Sequence, residues 1–123
     1  MSIEAVEDIL LEDTFVLSWD QSGDSLAFNV VASLLQSHPD ASPPAPGEWA
    51  CYRTGVLRFS GVTSVRGLLA QESVIPTADA DGSVDYGTID SLALAGPGEY
   101  RIAGEFGVVT VAARDVSLVL AAA

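Results

Sequence analysis

Between residues 26 and 34 every second side chain is apolar: Leu26, Phe28, Val30, Ala32 and Leu34 share one parity. A period of two puts all five on one face of an extended strand and would scatter them around a helix, so this stretch commits the chain to a half-buried β-sheet. The stretch from Thr14 also alternates, with Phe15, Leu17 and Trp19 on one face and Val16, Ser18 and Asp20 on the other. The turn formers Asp20-Gln-Ser-Gly-Asp-Ser separate the two, and the pair is expected to form a hairpin.

The same alternation recurs down the chain. Residues 49–61 read as a strand around Leu57 and Phe59, with Gly55 as a bulge where the inward parity switches, and residues 62–69 extend it or pair with it. Residues 88–94 are followed by a turn at Gly96-Pro97-Gly98, then by Tyr100, Ile102 and Phe106 alternating with charged or small residues. Residues 108–120, interrupted at Arg114-Asp115, give two strands joined by a tight turn. Two loops stand out: residues 36–48, with Pro39, Pro43, Pro44 and Pro46, and residues 72–87, with Pro76 and the run Asp79-Ala-Asp-Gly-Ser-Val-Asp. Neither has the helical periodicity of a crossover, which excludes a parallel α/β sheet.

Residues 3–11 differ, with Ile3, Val6 and Leu10 at helical spacing, Ser2 as N-cap and Glu4 near the positive end of the dipole. The expected architecture for residues 1–123 is therefore one mainly β domain. It is an antiparallel β-sandwich or flattened barrel of about 7–8 strands with one short N-terminal helix, and a meander is the simplest topology.

Charge limits the partners. Seventeen carboxylates face five cations, all arginines, for a net charge of −12, although 49% of residues are hydrophobic. Such a surface repels phosphate backbones and anionic membranes and attracts basic proteins, so no nucleic-acid or membrane partner is expected. The first residues carry acids where a signal peptide needs positive charge, and no apolar run is long enough to span a bilayer, which predicts a cytoplasmic protein. Glu4, Glu7, Asp8, Glu12 and Asp13, with Asp79, Asp81, Asp85 and Asp90, hold nine of the seventeen carboxylates. Of these, Glu4, Glu7, Asp8, Asp79, Asp81 and Asp85 are the candidate partner-binding residues, which form one docking face if the two stretches meet in space.

Catalytic chemistry finds little support. Cys51 is the only cysteine, so no internal disulfide or cysteine cluster exists, and it reads as a small buried hydrophobe. His38, the sole histidine, opens the proline-rich loop with no nucleophile elbow anywhere in the chain. An EF-hand fit with Gly82 at the sixth position puts Thr77 and Thr88 at the first and twelfth. Starting instead at Asp79 puts Asp90 twelfth but Val84 at the sharp turn, so neither register is complete. No cofactor or metal is expected. The alternative function is a small-ligand or calcium-binding module using residues 77–90. Trp19, by parity with Phe15 and Leu17, belongs to the core, and strands such as Val108-Val-Thr-Val-Ala-Ala, apolar on both faces, predict a homo-oligomer.

The ordered set Phe15-Val-Leu, Tyr52-Arg-Thr-Gly-Val-Leu-Arg-Phe-Ser-Gly-Val, Asp85-Tyr-Gly-Thr-Ile-Asp and Gly104-Glu-Phe-Gly-Val-Val-Thr-Val resembles small uncharacterised bacterial β-sandwich proteins. Some of those are identified as immunity proteins of toxin systems. The resemblance implies the fold, a bacterial origin and an immunity-like inhibitor of a basic partner. Together with the composition it leads to a non-enzymatic, acidic protein-interaction domain.

Overall fold

The computed structural model describes residues 3–122. The alternation at residues 26–34 folds as expected: all five apolar residues of that parity are buried in β2 (Ser25–Leu34), which pairs with β1 (Phe15–Ser22) across the turn Gly23-Asp24. The other strands are β3 (Cys51–Ser60), β4 (Ser64–Arg66), β5 (Thr77–Ala78), β6 (Val84–Asp85), β7 (Ile89–Gly96), β8 (Glu99–Gly104), β9 (Gly107–Ala112) and β10 (Asp115–Leu120). Seven have six or more residues; β4, β5 and β6 are short additions. They form antiparallel sheets in the orders β1-β2-β3-β10 and β4-β9-β8-β7, with a small β5-β6 hairpin. The result is the sandwich expected, and its sides are partly closed. On one side Val16 exchanges backbone hydrogen bonds with Tyr86 and Gly87; on the other, Thr63 N–H donates to Ala112 and Arg114 N–H donates to Ser60.

Aromatic rings bind the two sheets into one core. Phe28 packs on Phe59 and on Phe106 at centroid distances of 6.3 and 4.8 Å, while Trp19 meets Phe106 at 5.9 Å and Phe59 meets Tyr100 at 5.5 Å. Edge-to-face and tilted contacts of this kind add attraction beyond the area they bury. Trp19 also donates its indole Nε1–H to Leu69 O at 2.9 Å and its backbone N–H to Gln71 Oε1 at 2.8 Å, which covers the outer edge of β1.

Several expectations are corrected. The N-terminal helix is absent: two 3-10 turns, Glu4–Val6 and Leu11–Asp13, flank Ile9, which bridges to Leu34. Sheet-like hydrogen bonds from Leu10 N–H to Ser33 O and from Leu35 N–H to Asp8 O compete with the helix, and Asp8 takes a positive φ of 58°. The Ser2 cap lies outside the described residues. Phe15, Leu17 and Trp19 do not share a face, because a bulge between Val16 and Ser18 switches parity; Val16 and Trp19 point inward while Leu17 is 37% exposed.

Gly55 is not a bulge. The β2–β3 register runs without a break from Ser25↔Ser60 to Leu34↔Cys51, and glycine is needed at residue 55 because a Cβ there would sit 2.8 Å from Val119 O. Nor is the chain a simple meander. Residues 64–66 join β9 rather than β3, and β10 leaves β9 to return to β3, so the turn at Arg114 connects two sheets. Among the described residues no helix is long and apolar enough to cross a membrane.

Candidate functional site

The β1 bulge creates the most developed surface feature. By turning Phe15 and Leu17 away from the core, it aligns them with Val31 and Tyr52 on the outer face of the β1-β2-β3-β10 sheet. These four side chains floor a groove of about 440 Å³. One wall is the β5-β6 hairpin, with Asp79, Asp81, Val84 and Asp85; Glu48, from the end of the proline-rich loop, also lines the groove. No arginine lines it.

The hairpin is held by its own acids. Ser83 Oγ donates to Asp81 Oδ1 at 2.6 Å and Ser83 N–H donates to the same oxygen at 2.9 Å, while Gly82 takes the positive φ of 88° that the turn requires. These bonds to Ser83, its hydroxyl first and its backbone N–H second, hold the Asp81 carboxyl below its ordinary range. Asp85, 8% exposed, accepts the Gly87 N–H at 2.8 Å and fixes the exit from the hairpin toward β7. Asp79 and Asp81 thus project at the surface on a shaped backbone.

At the floor, the Tyr52 hydroxyl donates to Asp13 Oδ2 at 2.7 Å, and the ring lies 6.5 Å from Phe15. Burial, then the hydrogen bond to Asp13 and its negative charge, push the phenol up to about 12, against a smaller opposite effect of Trp49. The phenol is therefore a neutral donor locked to a carboxylate. Trp49 itself is 70% exposed, next to Glu48 in sequence.

Of the six candidate binding residues, Asp79, Asp81 and Asp85 meet in the groove and Glu4, Glu7 and Asp8 do not line it. The Glu4–Val6 turn packs against β10, whereas the hairpin packs against β1, and these strands are opposite edges of one sheet, about 14 Å apart at ordinary strand spacing. Asp8 accepts a hydrogen bond from Ser37 Oγ at 2.8 Å. Glu4, Glu7 and Asp8 therefore do not share the groove with the hairpin, whereas Asp13, from the end of the same acidic stretch, reaches its floor through Tyr52. Sequence reasoning missed Glu48, Tyr52 and the outward turn of Phe15 and Leu17, the last of which leaves no signal in the sequence.

Other features offer less chemistry. Cys51 is buried and its Sγ accepts the Ser42 N–H at 3.4 Å; His38 Nδ1 accepts the Asp40 N–H at 3.0 Å within its turn. Among the described residues no group of three or more His, Cys, Asp or Glu side chains is placed to hold a metal ion. A hollow of about 520 Å³ lies against residues 94–98, but no charged side chain lines it. No family model, curated protein or solved structure matches this chain.

Proposed function

We propose that this chain is a non-enzymatic protein-interaction domain whose groove receives a basic segment of a partner protein, as an immunity-like inhibitor would cap a basic toxin. The observation that supports this reading is the pairing of an apolar floor with the carboxylates of Glu48, Asp79, Asp81 and Asp85 and with no lining cation. Arginine and lysine suit such a site because their aliphatic stems pack on apolar side chains while the charged head reaches carboxylates. The Tyr52 ring adds a face for cation–π contact. The net charge of −12 would speed the encounter and make it salt-dependent. The calcium reading has less support, since Asp79 and Asp81 accept hydrogen bonds from Ser83 and, among the described residues, no third carboxylate converges with them.

The test is a titration with a short peptide of alternating Arg and Gly, followed by amide NMR. Shifts should concentrate at Phe15, Leu17, Tyr52 and residues 79–85, and a Glu48→Lys/Asp79→Lys variant should weaken binding at least ~10-fold, the scale of losing close charge pairs. Unchanged affinity in that variant would sink the proposal.

A further inference from the structure

Five arginines serve seventeen carboxylates, yet two of them are left without a partner. Arg114 pairs with Asp115, Arg58 donates to Ser25 Oγ, and Arg53 donates to the carbonyls of Asp40 and Ala121. Arg66 and Arg101 make no ion pair or side-chain hydrogen bond among the described residues. They are also neighbours. Arg66 pairs in register with Thr110, and Thr110 with Arg101, so the three form one row across β4, β9 and β8. Val109, Val111, Tyr100 and Ile102 point into the core, which sets Thr110 and Arg101 on the outer face. Two strand spacings separate the arginines by about 10 Å, close enough for both guanidinium groups to engage one acidic loop. Ala93 continues the row beside Arg101, Ala112 and the exposed Val108 flank Thr110 along β9, and Glu99 lies two residues from Arg101 on the same face of β8.

We propose that this arginine row docks the acidic β5-β6 hairpin and groove of a second copy of the chain. Charge complementarity supports a second copy, because the same molecule carries the matching acids on the outer face of its other sheet. At physiological salt, interactions beyond about 8 Å are screened, so the local opposite charges at contact outweigh the overall repulsion of two acidic bodies. The two surfaces are different patches on opposite faces, so the contact is head-to-tail and propagates into a ring or a chain of copies. The inference rests on the groove being a cation-accepting site.

Sedimentation velocity tests it. The chain should exceed its 12.8 kDa monomer mass in about 150 mM salt and approach it in about 500 mM. Arg66→Glu/Arg101→Glu and Glu48→Lys/Asp79→Lys should each be monomeric alone, and an equimolar mixture should associate because each acidic surface again meets a basic one. A wild-type monomer at both salt concentrations overturns the proposal, as does wild-type-like association of the arginine variant. If the arginine variant still binds the Arg-Gly peptide while the wild type is monomeric, self-docking fails and the groove reading survives. If neither lysine substitution affects the peptide, the groove reading fails first.

Discussion

The outer face of the β1-β2-β3-β10 sheet carries Phe15, Leu17, Val31 and Tyr52 beneath carboxylates, whereas that of the β4-β9-β8-β7 sheet carries the row of Arg66, Thr110 and Arg101, flanked by Glu99 and the exposed Val108. Their inner faces, by contrast, are alike: both are lined by large apolar groups that are almost wholly buried. Stability is therefore built symmetrically from both sheets, while chemistry is distributed asymmetrically on their outsides. The asymmetry begins with one inserted residue, Leu17, which moves an aromatic and an aliphatic side chain from core to surface.

The sharpest way to break this division is Phe28→Ala. Phe28 is fully buried and touches rings from both sheets, so its truncation should cost about 3–5 kcal/mol in denaturant unfolding. A loss under about 1 kcal/mol would show that the sheets do not share one core. Next comes Gly67→Ala, where φ is +91° and a Cβ would lie 2.1 Å from Val108 O. That backbone cannot yield cheaply, so about 2–3 kcal/mol should be lost, against no more than about 0.5 for Val108→Ala nearby, whose side chain is 66% exposed.

The smallest effect belongs to the groove. Tyr52→Phe removes the hydrogen bond to Asp13 at a partly exposed position and should cost about 0.5–1 kcal/mol. Its pH signature is more telling. The folded phenol titrates near 12 rather than 10.0, so between those values the unfolded chain has lost a proton that the folded chain keeps. The contribution of Tyr52 is thus full below pH 10 and is lost as pH rises through about 12. Spectrophotometric titration of the wild type against Tyr52→Phe should show this, and a Tyr52 midpoint near 10 would separate Tyr52 from Asp13 in solution.

Where local pattern and global packing agree, the sequence was readable. β2 is the clearest case: its alternation names its five core residues, because a strand in mid-sheet has no freedom to shift parity. β1 was misread since a bulge costs little at an edge and leaves no composition signal, and Gly55 was misread because its requirement comes from β10, distant in sequence. The candidate site was legible only by half. The Asp-Gly-Ser turn announced the hairpin with Asp79, Asp81 and Asp85, but its seating over Tyr52 and the approach of Glu48 are products of tertiary packing. Asp13 reaches the groove through Tyr52, while the Glu4–Val6 turn packs at the opposite edge of the sheet for the same reason.

The return of β10 to β3 also bears on how the chain reaches this state. Hairpins β1-β2, β7-β8 and β8-β9 close over short turns, whereas Asp115 must find Ser60 and Leu120 must find Gly55 about half the chain away. Closing so long a loop carries an entropic cost before any contact rewards it, which predicts that this pairing forms late in folding. Until it forms, one edge of β3 stands open beside Leu57 and Phe59, an adhesive strand in a half-assembled molecule.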